Sequence, residues 1–153
     1  MNALELKIPP PVVMLLSAAA MWAIATQTPI VTMPGTVKIS LSVVLLCLAG
    51  AFDLAGLIAF RRAKTTINPL NPNKSSTLVA DGVYRITRNP MYVGMVFVQL
   101  AWGAYLACPW ALVMPTLFVA YIQRFQIAPE ERALNRLFGA DYATYRVRVR
   151  RWL

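Results

Sequence analysis

NPMYVGMVFVQLAWGAYLACPWALVMPTLFVAYIQ runs from Asn89 to Gln123 without a single charged residue. That is longer than the roughly 20 apolar residues one membrane-spanning helix needs. Cys108-Pro109-Trp110 stands near its middle, where a proline disfavours continuing one helix. The stretch therefore predicts a tight hairpin of two spans, about Met91 to Ala107 and about Trp110 to Gln126.

Reading outward from it, a second uncharged run extends from Ile8 to Val37, with Pro9, Pro10 and Pro11 at its entry, and predicts a span over 11–28. Ile39 to Phe60 predicts another, over 39–60, interrupted only by Asp53. The composition agrees. The 153 residues are 58% hydrophobic and 14% charged, against about a quarter charged in soluble domains. The expected fold is all-α, a bundle of about four transmembrane helices forming one membrane-embedded domain over 1–153, with a connection over 61–89 and a tail over 127–153. The leader, with one Glu and one Lys and no small-x-small cleavage site, does not read as a signal peptide.

Four spans starting from the inside place every basic residue except Lys38 on the cytoplasmic side, the arrangement the positive-inside rule selects. Both termini are then expected in the cytoplasm, and the membrane is expected to be a prokaryotic inner membrane. The net charge of +9 is accounted for by topology and contact with lipid headgroups, so no nucleic-acid partner is invoked. Cys47 and Cys108 fall at different depths and are not expected to pair. The chain has no histidine, which argues against a zinc or haem site and against an imidazole base.

The connection opens with Thr65-Thr66-Ile67-Asn68-Pro69-Leu70-Asn71-Pro72-Asn73, a Pro- and Asn-rich turning segment. It ends with Leu78 to Arg88, whose mixture of apolar, aromatic and basic residues suits a segment against the membrane face. In the tail, Pro129-Glu130-Glu131 starts a helical pattern that Gly139 stops. Asp141 is placed to cap a last helix carrying Tyr142, Tyr145, Val149 and Trp152 on one interfacial face.

Several residues admit both a mechanical and a chemical reading. Asp53 is a carboxylate inside a span, costing at least about 2.5 kcal/mol unless paired or facing a polar cavity. Either it bonds to a neighbouring helix, aided by the small residues Ala51, Ala55 and Ala59, or Gly50, Asp53 and Gly56 form one wall of a ligand pocket. Asn89 and Pro90 make an ordinary helix start, as N-cap and first residue, and Tyr84 and Tyr92 suit an aromatic belt. The same helix N-terminus beside Arg88 suits an anionic group. Glu130 and Glu131 favour the helix dipole, and would equally accept hydrogen bonds from a ligand with a positive charge and hydroxyls.

In order and spacing, Gly82-x-Tyr84-x-x-x-Arg88-Asn89-Pro90-x-Tyr92-x-Gly94, followed after a span-sized gap by Glu130-Glu131-x-x-Leu134-x-x-x-Phe138-Gly139-x-x-Tyr142-x-x-Tyr145-x-x-x-Val149-x-Arg151-Trp152, resembles a family. It is that of the membrane-embedded methyltransferases typified by isoprenylcysteine carboxyl methyltransferase, with phospholipid methyltransferases as relatives. The resemblance implies S-adenosyl-L-methionine as cofactor, enclosed by Tyr84, Asn89, Pro90, Tyr92, Gly94, Glu130 and Glu131. It links Arg88 and Arg148 to the reacting carboxylate, with Asp53 and Tyr145 as substrate-binding candidates. The acceptor would come from the bilayer, a carboxylate being favoured and a phospholipid amine or small thiol being alternatives. The chain departs from the carboxyl methyltransferases at Asn89, where they carry His. The competing readings are a sterol-reductase-like NADPH enzyme, which shares the Arg-x-Pro-x-Tyr element, and a non-catalytic membrane scaffold.

Overall fold

The computed structural model describes residues 5–63 and 77–153. The Pro- and Asn-rich part of the connection, from Thr65 to Asn73, lies outside the described residues. Among the described residues five α-helices carry the fold: α1 (Pro10–Gln27), α2 (Gly35–Ala63), α3 (Pro90–Leu106), α4 (Val113–Ile122) and α5 (Ala128–Arg148). Short 3-10 turns, Gly82–Arg85 and Pro109–Leu112, lead into α3 and α4.

Among the described residues three helical stretches are long and apolar enough to cross a membrane, α1, α2 and the run Pro109–Arg148, while α3 is a shorter apolar helix. Its 17 residues sit at the low end of the length a span requires. The break between α3 and α4 falls where the proline predicts it. Ala107 turns left-handed at φ 50, its carbonyl accepts Val31 N–H at 2.8 Å, and the chain reverses at Cys108.

Because α1 is apolar on every side, its buried seam is set by packing and not by amphipathicity. Pro10, Ser17 and Met21 are buried, while Leu15, Leu16 and Trp22 are exposed, the pattern of a helix seated in lipid. α3 is central, packed along α2 on one side and against α1 and α4 on the other. Ser17 Oγ donates to Gln99 Oε1 at 2.5 Å, Trp102 Nε1 to the Ala18 carbonyl at 3.1 Å, and Ser42 Oγ to the Ala101 carbonyl at 3.1 Å. Such bonds between membrane helices contribute about 0.6 kcal/mol each on average, enough to fix rotation where every face is apolar.

The face α2 turns to α3 carries Ser42, Ala49 and Gly56, all buried. This corrects the expected stripe: Ala51 is exposed, and a Cβ on Gly50 would meet nothing within 4 Å. Gly56 is the close approach, where a Cβ would press on Met91 Cγ at 3.1 Å and Pro90 Cγ at 3.5 Å.

The helix expected to end near Gln126 continues beyond it. α4 passes through a π turn, Gln123–Ile127, directly into α5. Pro129 supplies the reason: lacking an N–H, it leaves the Phe125 carbonyl four residues back without its helical donor. Leu6 N–H takes that place at 3.1 Å, and Gln126 Nε2 donates to the Ile8 carbonyl at 2.7 Å. Glu5 completes the attachment with Arg132 at 2.6 Å and Arg124 at 3.4 Å. Gly139 does interrupt α5, at φ 47 and ψ −116, a backbone region essentially reserved for glycine, after which the helix resumes to Arg148.

Candidate functional site

The start of α3 and the start of α5 converge at one end of the bundle. Pro90 occupies the first turn of α3 as expected, but Asn89 does not cap it with its side chain. Its Nδ2 instead donates to the Arg151 carbonyl at 2.8 Å. Thr87, fully buried, donates to the same carbonyl at 3.1 Å, and Arg88 N–H donates to the Arg150 carbonyl at 2.9 Å. The segment before α3 thus pairs edge to edge with the end of the chain, with Thr87 and Arg150 forming a parallel bridge.

On this frame sits the Arg88–Glu131–Arg151 cluster. Arg88 Nη2 donates to Glu131 Oε1 at 2.7 Å, and Arg151 donates from Nη2 to Oε2 at 2.6 Å and from Nε to Oε1 at 3.1 Å. Arg88 Nη1 is spent on the Val149 carbonyl at 2.7 Å and the Arg146 carbonyl at 3.1 Å. The Arg88 and Glu131 side chains are only 11% and 12% exposed. Burial works to raise the Glu131 pKa, but the hydrogen bonds and charges of Arg151 and Arg88 together outweigh it and hold the carboxyl below its ordinary value.

Glu130, one residue earlier, is in the opposite condition. Tyr92 Oη donates to its Oε1 at 2.6 Å, and no arginine reaches it among the described residues. Burial pushes its pKa up to about 8; the Tyr92 hydrogen bond opposes this and the Glu131 charge adds to it. Two adjacent glutamates are therefore in different conditions: Glu131 is committed to holding the tail, while Glu130 accepts a hydrogen bond from the Tyr92 hydroxyl and joins no ion pair among the described residues.

Tyr84 and Tyr92 do not form an aromatic belt, being buried at 7% and 8% exposure. Tyr84 packs edge-on to Phe60 of α2, and its carbonyl accepts the Tyr145 hydroxyl at 2.7 Å, so Tyr145 ties α5 to the 3-10 turn. On the α2 side of α3, the Asp53 carboxylate lies against Gly94, occupying the space a Cβ there would need. Asp53 and Gly94 are thus brought together, on a different side of α3 from the Tyr92–Glu130 pair. Arg148 is exposed and takes no part in the Glu131 cluster. The tail arginine that does is Arg151, which sequence reasoning named in the motif but not as a site residue; its signal was the fixed spacing Val149-x-Arg151-Trp152. Thr87 carried no such signal.

A family model described as phospholipid methyltransferase matches residues 37–141. The chain belongs to that family. The match runs from α2 through Glu130 and Glu131 to Asp141, so it contains both halves of the convergence. An uncharacterized protein of Haemophilus influenzae is 40% identical over 63 residues, 41% of this chain and all of that protein. Protein-S-isoprenylcysteine O-methyltransferase A of Arabidopsis thaliana is 32% identical over 94 residues, 60% of this chain and 46% of the plant enzyme, so the chain covers about half the length of that family relative. No solved structure matches.

Proposed function

We propose that this chain transfers a methyl group from S-adenosyl-L-methionine to a lipophilic acceptor held in the bilayer. The observation that carries the reading is Glu130, an enclosed carboxyl hydrogen-bonded by Tyr92 and lying beside a second glutamate locked into an arginine cluster.

The donor set suits this cofactor. S-adenosyl-L-methionine bears hydroxyls and an ammonium that a carboxylate accepts from, and a carboxylate that an N–H donor satisfies. Glu130 offers the first when ionised, giving up to solvent the proton that burial favours on it. Arg88 Nε, buried and without a partner among the described residues, offers the second. When bound, the cofactor supplies an electrophilic methyl group on sulfur. The chain's own residues bind and orient: Glu130 and Tyr92 hold the ligand, the Arg88–Glu131–Arg151 cluster closes the tail over the start of α3, and the pairing of Asn89 and Thr87 with Arg151 fixes that closure. Asp53 and Gly94 border the acceptor's side from within the membrane. Positioning and exclusion of water supply the acceleration, which suits a chain without histidine. The favoured acceptor is a lipophilic carboxylate, already an anion that needs no base; an amine or thiol acceptor would have to give up a proton, for which Asp53 is the candidate acceptor.

Incubating the purified chain in native-lipid vesicles with methyl-labelled cofactor tests the activity. Label is expected in the organic extract. Its absence there, with full chain in the vesicles and cofactor in excess, overturns the reading.

A further inference from the structure

Beside the Glu131 cluster, where the tail meets the segment before α3, a cavity of about 280 Å³ is lined by Ala80, Asp81, Arg85, Tyr145, Arg148 and Val149. Arg85 and Arg148 are exposed, and neither joins any of the four ion pairs among the described residues. Ile86 and Val147, their chain neighbours, are 60% and 88% exposed. The height of this patch is fixed by α3: Arg88 N–H bonds the Arg150 carbonyl, so the cavity lies just outside the point where the apolar run begins at Pro90.

Two exposed arginines, each followed or preceded in the chain by an exposed aliphatic residue outside the cavity lining, suit the boundary between headgroups and acyl chains better than bulk water. The charge of the lining is also informative. Asp81 offsets one arginine, leaving a net charge of one positive unit, which matches the single negative charge of a phosphodiester better than the higher charge of inorganic phosphate. We propose that this cavity binds the phosphodiester of an anionic phospholipid, gripped by Arg85 and Arg148, with Ile86 and Val147 seated among its acyl chains. The proposal does not rest on the proposed activity, and it gives Arg148 a lipid ligand in place of the reacting carboxylate to which the resemblance links it.

Native mass spectrometry of the detergent-purified full chain tests this, with phosphatidylglycerol titrated against phosphatidylcholine. Retention of phosphatidylglycerol is expected to exceed that of phosphatidylcholine, and the double variant Arg85→Gln/Arg148→Gln is expected to lose roughly 30-fold in affinity, about fivefold for each arginine. Ile86→Ser/Val147→Ser keeps both charges and should weaken lipid retention without restoring parity between the two lipids. Unchanged phosphatidylglycerol retention in the arginine variant, with its melting temperature preserved, overturns the proposal. Displacement of the lipid by millimolar inorganic phosphate, with no effect of the Ile86 and Val147 changes, overturns it in favour of a free-anion site, and preferential retention of phosphatidylcholine overturns the lipid class.

Discussion

Arg88 Nη2 and Glu131 Oε1 meet at 2.7 Å across 43 residues of sequence, and this bond joins the start of α3 to the start of α5. Both side chains are nearly buried, so removing one partner leaves an uncompensated charge, a larger loss than the pair's own contribution. Glu131→Gln is expected to cost about 3 kcal/mol and to release the tail. Hydrogen exchange at the amides of Arg88 and Val149 should rise selectively; uniform protection in the variant would mean the tail is held by other contacts.

Glu130 gives the chain a pH dependence of definite sign. Its folded pKa, about 8, lies above the ordinary carboxylate value, so the folded state binds the extra proton in the window between. Stability contributed by that proton is present at low pH and lost as pH rises toward 8. Glu130→Gln should flatten the melting temperature between pH 5 and pH 8. A wild-type profile already flat there would show that Glu130 titrates normally. Glu131 acts in the opposite sense, its contribution being lost as pH falls through its lowered pKa.

The break between two apolar helices at Cys108 and the interruption at Gly139 are legible in uncharged run length and in proline and glycine placement, whereas the ion pair of Arg88 with Glu131 is not, since the resemblance assigns those two residues to different ligands. The division of labour between Glu130 and Glu131 was not, because it depends on which carboxylate Arg88 and Arg151 reach, a distance across the fold. Nor was the π turn: Pro129 signals a lost hydrogen bond, but not that Leu6 would satisfy the freed carbonyl from the other end of the chain. Asn89 reads as a helix cap from its neighbours alone, and its Arg151 partner is remote in sequence.

Gly94→Ala places a methyl group on the Asp53 carboxylate. Overpacking of this kind costs about 1–3 kcal/mol, and the damage should be specific to the pair: Asp53→Ala in the same chain should recover most of the lost melting temperature. Additive losses in the double variant would show that the two residues are uncoupled.

Tyr145→Phe deletes the hydroxyl that satisfies the Tyr84 carbonyl at 2.7 Å, at an expected cost of about 1–3 kcal/mol for the unpaired buried group. Its effect on ligand affinity should be small compared with that of Tyr92→Phe, measured by the same titration; equal losses would place Tyr145 in the ligand site.

The most direct test is calorimetric titration of the purified chain with S-adenosylhomocysteine, in the native sequence and in Glu130→Gln. Measured above pH 8, where Glu130 is ionised, binding by the native chain and a roughly 10- to 100-fold loss in the variant, the size of a hydrogen bond to a charged group, are expected. No binding by the native chain at millimolar ligand, or equal affinity in a folded Glu130→Gln variant, would contradict Glu130 as the residue that holds the methyl donor.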